Sequence, residues 1–173
     1  MKDVSRSTAS GGLTPADREA LEGGPRIPET LRELITGFDP GQLDQVALQW
    51  QVAGEWQEQT YRALFDQVRD LSVALRALGI GPGDRVGLLS ENRPEWLLGY
   101  LAVTAIGAAT VNLDVFWSAR EIAGVLVTAQ PRLVCTSNAF VEKIAAAREQ
   151  VPAIERVLLF DPNPERIPDP EAG

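Results

Sequence analysis

Between residues 60 and 161, short apolar runs alternate with longer stretches of helical periodicity. The four strand candidates are Val86–Leu89, Ala109–Leu113, Leu133–Cys135 and Val157–Phe160. Strands that are separated by helices pair in parallel, because each helix carries the chain back to the edge where the previous strand began. We therefore predict an α/β fold with a layered, mostly parallel sheet and flanking helices.

The first two helices have clear ends in the sequence. Thr60 is placed to cap a helix whose apolar stripe runs to Leu78, and Gly79 is placed to end it in a left-handed turn. The second helix begins at Pro94 and is apolar on almost every side through Ile106, so we expect it to be deeply buried.

The next two helices also carry end signals. Ser118 and Glu121 have the spacing of a capping box, and Pro131 follows the end of that helix. Asn138 is predicted to cap the last helix, which extends to about Gln150 by its apolar periodicity.

An N-terminal β-hairpin is predicted before the first helix. Val46, Leu48 and Trp50 alternate with more polar residues, which is typical of a half-buried strand. Residues 52–55 offer a turn, and residues 56–59 offer the returning strand.

Composition changes at both ends of the predicted domain. Residues 1–26 are rich in glycine and small polar residues and are predicted to be mobile. Pro28 to Ile35 has a short helical pattern that opens the α/β domain, which we place at residues 27–161. Residues 162–173 form a proline-rich tail.

Charge and hydropathy restrict the partners. The net charge of −8 argues against a nucleic acid or an anionic membrane surface. No apolar run reaches the roughly 18 residues of a transmembrane helix, and the first residues lack the apolar core of a secretory signal. The sequence therefore predicts a cytoplasmic protein with no transmembrane segment.

Two residue counts restrict the chemistry. The chain has no histidine, which removes histidine metal ligands and Ser–His or Cys–His nucleophile pairs. Cys135 is the single cysteine and lies in an apolar run, so we expect a buried, inert thiol. We predict no catalytic residue and no metal ligand in this chain.

The glycines of residues 79–83 do not have the context of a nucleotide loop. A phosphate-binding loop follows a strand and opens a helix, whereas these glycines follow a helix and precede a strand. We therefore interpret this segment as a turn.

Two polar positions are candidates for substrate binding. They are Asn92 and Asp114, and they belong to the segments Ser90-Glu91-Asn92-Arg93 and Asn112-Leu113-Asp114, which lie at the carboxyl ends of predicted parallel strands, where open α/β sheets bind ligands. The structural alternative for Asn92 is a cap for the helix that begins at Pro94.

A series of short motifs resembles one family over residues 28–161. The motifs are Thr60-Tyr61, Leu78-Gly79-Ile80, Gly83-Asp84-Arg85-Val86, Asn92 with Glu95-Trp96, Gly107-Ala108 and Glu121. In order and spacing they resemble the N-terminal portion of the adenylate-forming acyl-CoA synthetases. The segments S-E-N-R-P-E-W and A-I-E-R-V-L-L-F-D are most similar to the long-chain fatty-acid CoA ligase branch.

The resemblance implies part of the large N-terminal domain of that fold. It also implies a two-step reaction, in which a carboxylate and ATP with Mg²⁺ form acyl-AMP and coenzyme A then displaces AMP. The family's phosphate loop and C-terminal lysine have no counterpart here, and Lys2 and Lys143 are the only lysines. Residues 114–117 read D-V-F-W, which departs from the Tyr-Pro-Thr-like turn of the long-chain branch.

The resemblance thus predicts an N-terminal fragment or split half of a fatty acid–CoA ligase that is inactive alone and binds no cofactor by itself. Its expected partner is the missing C-terminal part or a full-length homologue, and self-association is a further expectation. One alternative is a stand-alone interaction or dimerisation module that regulates a full-length synthetase. A second alternative is an unrelated small nucleotide-binding α/β protein.

Overall fold

A computed structural model describes residue 33 and residues 37–161 of the chain. The predicted mobile segment 1–26 and the predicted tail 162–173 lie outside the described residues. The predicted helix at residues 28–35 also lies outside them, apart from Glu33.

Four short strands form the parallel sheet that the alternating pattern predicts. They are β3 (Arg85–Leu89), β4 (Ala109–Asn112), β5 (Leu133–Thr136) and β6 (Arg156–Leu159). Their spatial order is β4-β3-β5-β6, and all three pairings are parallel. Every residue of β5 is buried, and so are the last four of β3. Continuous apolar runs are typical of parallel strands because helices cover both faces.

Four helices cover the two faces of this sheet. They are α1 (Tyr61–Ala77), α2 (Pro94–Ala105), α3 (Ala119–Ala129) and α4 (Val141–Arg148). Leu88 and Cys135 pack in one core with α1 and α2, whereas Leu89 and Val134 pack in a second core with α3 and α4. This alternation follows from the two-residue period of a strand, and it gives a helix–sheet–helix sandwich.

The predicted ends of α1 and α3 are confirmed. Thr60 Oγ1 accepts a hydrogen bond from the Ala63 amide at 3.3 Å, and Gly79 after α1 has a φ of 83°. Ser118 and Glu121 form the complete capping box at the start of α3.

The predicted cap at Asn138 is wrong. Residues 138–140 form a turn of 3-10 helix, and α4 begins only at Val141. The residue before this turn is Ser137, whose extended backbone occupies the cap position. Asn138 is therefore already inside the turn, and its side-chain oxygen accepts no hydrogen bond from a described residue.

The expected deep burial of α2 holds for only four of its twelve residues, Gly99 and residues 101–103. Residues 101–103 are buried, whereas Trp96, Leu97 and Tyr100 are half-buried. In the described part of the chain α2 packs against α1 and the sheet, which leaves the outer side of its first half partly open. No helix among the described residues has the length and apolar character needed to span a membrane.

The predicted hairpin is present as an antiparallel ribbon of β1 (Val46–Val52) and β2 (Glu55–Thr60). Ala53 and Gly54 connect the strands with φ angles of 51° and 89°, the left-handed pair that suits a two-residue hairpin turn. Leu48 and Trp50 are half-buried as predicted, but Val46 is 45% exposed, because the pairing register shifts between Val46 and Leu48.

Candidate binding site at the carboxyl edge of the sheet

Adjacent strands β3 and β5 send their following helices to opposite faces of the sheet. The helix after β3 is α2, which packs in the first core, and the helix after β5 is α4, which packs in the second. Such a reversal opens a crevice at the carboxyl ends of the two strands, where open α/β sheets bind ligands. The polar residues that follow β3, β5 and β6 meet at this point.

Glu91 links the loop after β3 to the loop after β5. Its Oε2 accepts hydrogen bonds from Ser137 Oγ at 2.6 Å and from Ser90 Oγ at 3.1 Å. Both serines are buried, at 1% and 7% exposure. Partial burial raises the pKa of the Glu91 carboxyl, but the hydrogen bonds from the serines and the charge of Arg93 outweigh burial, so its pKa lies below the usual value.

Arg93 joins three carboxylates from different segments. Its guanidinium lies 2.8 Å from Glu95, 2.8 Å from Asp161 and 3.4 Å from Glu91, and its side chain is 19% exposed. The hydrogen bond with Glu95 is the largest of the effects that raise the pKa of Arg93, so this group stays charged.

Asp161 fastens the end of β6 to the same cluster. Its Oδ2 accepts from the Asn138 backbone amide at 2.6 Å, while Oδ1 accepts from Arg93 at 2.8 Å. The bond from the Asn138 amide is the main cause that holds the pKa of Asp161 below its usual range. Beside it, the Asn138 Oδ1 atom is buried without a hydrogen-bond partner among the described residues.

The structure places Asn92 at this edge, but not as the cap of α2. The cap residue of α2 is Arg93, which makes no side-chain capping bond, so the structural alternative of Asn92 as the cap of α2 is wrong. Asn92 is exposed. The loop passes through Arg93 in an extended conformation before the helix, which moves Asn92 one residue too far away to cap it.

Asp114 lies after β4 and forms a local turn. Its Oδ1 accepts from the Phe116 amide at 2.9 Å, and Lys143 Nζ donates to the carbonyls of Val115 and Trp117 at 2.8 and 3.0 Å. Phe116 is left 91% exposed at the tip of this turn. Asn92 and Asp114 follow neighbouring strands, but no hydrogen bond joins them.

The cluster is poorly suited to hold a triphosphate by itself. Three carboxylates, Glu91, Glu95 and Asp161, surround the one guanidinium of Arg93, so an added polyanion would meet repulsion. Within residue 33 and residues 37–161, no group of three or more His, Cys, Asp or Glu side chains is arranged to hold a metal ion. The resemblance implies ATP and Mg²⁺, but the residues of this cluster do not by themselves form a suitable site for either of them.

The glycine segment and the cysteine behave as the sequence predicts. Gly79 and Gly83 adopt φ angles of 83° and 85° in the turn before β3, at the end of the sheet opposite the cluster. The Gly81 amide is taken by Asp84 Oδ2 at 2.8 Å, so it does not face a ligand. Cys135 is 4% exposed, and burial raises the pKa of its thiol to about 12.

The sequence predictions singled out the segment Ser90-Glu91-Asn92-Arg93 and chose Asn92 from it, but they did not connect this segment with Ser137 or Asp161. Glu91 and Arg93 were neighbours of the chosen residue, whereas Ser137 and Asp161 lie far along the chain. One signal could have found them, because each is among the first polar residues after a predicted strand.

Comparison with known proteins gives a consistent result. The profile of a family described as "AMP-binding enzyme" matches residues 40–172. A long-chain-fatty-acid–CoA ligase of Thermus thermophilus is 30% identical over 116 residues, which are 67% of this chain and 21% of the ligase. A 3-hydroxybenzoate–CoA/4-hydroxybenzoate–CoA ligase of Thauera aromatica is 36% identical over 98 residues, which are 55% of this chain and 19% of that ligase.

A solved structure shows the same fold. The anthranilate–CoA ligase AuaEII, determined with anthranoyl-AMP, superimposes with a TM-score of 0.69 at 21% identity. The superposition covers 77% of this chain and 25% of that one. The chain thus spans about a fifth of the length of the curated ligases above and a quarter of this structure.

Proposed function

Because the chain belongs to the AMP-binding enzyme family, we propose that it forms the N-terminal portion of an ATP-dependent acyl-CoA ligase. In the complete ligase a carboxylate oxygen attacks the α-phosphorus of ATP, and pyrophosphate leaves to give acyl-AMP. The thiolate of coenzyme A then attacks the acyl carbon, and AMP leaves. The match over residues 40–172, with relatives named as CoA ligases, carries this proposal.

Long-chain fatty acids are the proposed substrate class. The support is the 30% identity with the Thermus ligase over two thirds of this chain. The exposed Asn92 amide and Asp114 carboxylate, on neighbouring strand ends, are the proposed contacts of this chain with substrate. In the complete enzyme, ATP and coenzyme A would be the co-substrates of the carboxylic acid, and Mg²⁺ would be the cofactor.

The chain alone is proposed to be inactive. Adenylation requires cations and amide donors that are preorganised around the phosphates. Arg93 is engaged by three carboxylates, and Lys143 is engaged by two backbone carbonyls. The proposed partner is therefore the remaining part of the ligase or a full-length homologue, in a cytoplasmic setting.

ATP–pyrophosphate exchange tests the proposal in two arms. The purified chain with palmitate or 4-hydroxybenzoate should give exchange no higher than the protein-free background. The second arm replaces the matched 116 residues of the Thermus ligase with those of this chain, and the chimera should regain exchange with palmitate.

Activity of the chain alone would contradict the proposed inactivity. A soluble chimera that unfolds cooperatively yet shows no exchange would contradict the assignment as a ligase portion. The family match is inconsistent with the alternative of an unrelated nucleotide-binding protein.

A regulatory interaction module is the second candidate function. It is favoured by the exposed apolar residues of the β1–β2 ribbon, Val46, Val52 and Trp56, which are suited to contact another protein. Adding the purified chain to the full-length Thermus ligase would change exchange activity in a saturable way under this hypothesis, and would leave it constant otherwise.

A further inference from the structure

The outer edge of β6 is the more apolar of the two unpaired edges of the parallel sheet. β6 pairs only with β5 among the described residues. Its last three residues are half-buried, whereas all four residues of β5, one strand further in, are buried. The inner strands β3 and β5 are therefore covered by the described part of the chain, while the outer edge of β6 has no neighbouring strand there.

The backbone of β6 offers hydrogen-bonding groups along this edge. The Phe160 amide donates to the Thr136 carbonyl at 2.9 Å, so the backbone groups of Phe160 face β5. Because successive residues of a strand direct these groups to alternate sides, Val157 and Leu159 direct their N–H and C=O groups away from β5. An unpaired edge of this kind is a template on which a further strand can pair.

The opposite edge of the sheet, along β4, is less suited to pairing. The Ala109 and Leu113 amides donate to carbonyls on the β3 side, which leaves Thr110 and Asn112 with backbone groups that point outwards. Both of these residues are polar, whereas the two outward residues of β6 are apolar. Residues 156–159 also lack the lysine or proline that protects a solvent-exposed edge. The edge of β6 thus has the composition of an edge that another strand covers.

The rest of this chain has no suitable sequence for the added strand. Residues 162–173 contain four prolines, which have no N–H to donate to a strand ladder. Residues 1–26 are rich in glycine and small polar residues, and glycine is a weak strand former. The occupant of the edge is therefore expected from outside these two segments.

A second copy of this chain is a poor occupant. Both outward residues of β6 pair with those of a second copy only when the antiparallel register is centred on Leu158. That register sets Glu155 opposite Asp161 of the other copy, and like charges that lie directly opposite each other are destabilising. The net charge of −8 on each chain adds further repulsion.

We propose that the outer edge of β6 binds an extended apolar strand from the remaining part of the acyl-CoA ligase, so that the sheet continues beyond β6. This inference rests on the proposed function. The matched segment is 21% of the Thermus ligase, so most of that protein lies outside the match and is available to supply the strand. The added strand covers the half-buried side chains of β6 and pairs the outward backbone groups of Val157 and Leu159.

Peptide binding to the purified chain tests this inference. The probes are overlapping peptides of about fifteen residues, long enough for one strand and its flanks, that cover the Thermus ligase outside its matched segment. At least one peptide should bind in fluorescence anisotropy, and a scrambled version with its apolar residues dispersed should bind about tenfold more weakly. Hydrogen exchange of the complex should show new protection of the Val157 and Leu159 amides and none of the Thr110 and Asn112 amides.

Two matched pairs of variants locate the binding edge. Val157→Pro removes an outward amide of β6, and Thr110→Pro removes an outward amide of β4 as its control; proline is tolerated on the outer side of an edge strand. Peptide affinity should fall about tenfold or more for Val157→Pro and change less than about twofold for the control. Leu159→Lys and Thr110→Lys should show the same contrast, because an edge lysine opposes pairing without removing an amide. Thermal melts check that each variant is folded.

Three results would overturn the proposal. They are no binding by any of the peptides, equal loss of affinity in the β6 and β4 variants, and equal binding of the scrambled peptide. Sedimentation of the peptide-free chain as a dimer that Val157→Pro disperses would assign the edge to a second copy instead.

The exchange assay with the chimera separates this inference from the proposed function. An active chimera together with no bound peptide would refute the role of the β6 edge alone. Peptides that bind β6 together with a folded but inactive chimera would contradict the proposed activity alone.

Discussion

The parallel sheet and the β1–β2 ribbon show how differently the same kinds of residue behave within one chain. Val86 and Leu88 in β3 are fully buried, whereas Val52 and Trp56 in the ribbon are 53% and 64% exposed. Both regions have apolar residues and regular strand pairing. They differ in how much of their surface is covered. Helices pack on both faces of the sheet, whereas α1 is the one helix among the described residues with substantial contacts to the ribbon strands. Stability therefore concentrates in the sheet, and the ribbon retains surface for binding.

The largest difference should appear when a leucine is truncated in each region. Leu88→Ala removes a fully buried side chain and should lower the free energy of unfolding by about 3 kcal/mol, since the cavity cannot collapse between two helical layers. The matched change Leu48→Ala, at a half-buried ribbon position, should cost less than half as much. Urea unfolding measures both, and equal losses would contradict the contrast.

Replacement of a glycine by alanine should destabilise the two regions for different reasons. A Cβ at Gly87 in β3 would lie 3.0 Å from a methyl of Val134, so Gly87→Ala should cost about 2 kcal/mol by overpacking. Gly54 in the ribbon turn has open space but a φ of 89°, so Gly54→Ala should cost about 1 kcal/mol through backbone strain alone.

A compensating Val134→Ala change separates these two causes. It should restore part of the stability of Gly87→Ala and none of the stability of Gly54→Ala. Denaturant titrations of the double variants supply the comparison, and rescue of both glycine changes would refute the distinction.

The cluster of Glu91, Arg93, Ser137 and Asp161 at the carboxyl edge of the sheet (the carboxyl-edge cluster) should make the stability of the chain depend on pH. The pKa of Asp161 is lowered in the folded chain, so its stabilisation is complete above the unfolded pKa near 4 and is lost as pH falls through the lower folded pKa. Asp161→Asn should cost about 1.5 kcal/mol at pH 7, since a charged hydrogen-bond acceptor is lost. The stabilities of the variant and the unaltered chain should converge once the pH falls below the lowered folded pKa of Asp161, and a difference that stays constant with pH would count against this role.

Much of this arrangement could be predicted from the sequence, because the spacing of apolar residues along a strand or helix shows which of its sides are buried. Apolar runs marked the buried strands, and Thr60 and Ser118 marked helix starts because their capping bonds reach only three residues along the chain. Asn138 failed as a cap since the backbone conformation of Ser137 decides where the turn begins, and residue type alone does not specify it.

The carboxyl-edge cluster could not be predicted in this way, because its residues lie far apart in the sequence. Glu91 meets Ser137 only because β3 pairs with β5, with β4 on the outside. If the strands were ordered as they occur in the chain, β4 would separate the two loops. The sequence indicated parallel pairing but not this order, so residues 46 positions apart could not be joined in advance.

The smallest effect is expected on the exposed face of the ribbon. Trp56→Ser should change the free energy of unfolding by no more than about 0.5 kcal/mol, since the indole is already 64% exposed. Urea unfolding checks this value, and a loss above about 1 kcal/mol would mean that the indole contributes to the folded core.

Native-state hydrogen exchange of the free chain compares the two regions most directly. Amides in β3 and β5 should exchange only through global unfolding, whereas amides in β1 and β2 should exchange at least about a hundredfold faster through local opening. Equal protection of β2 and β5 would contradict the view that the sheet is self-sufficient and the ribbon is an incomplete surface.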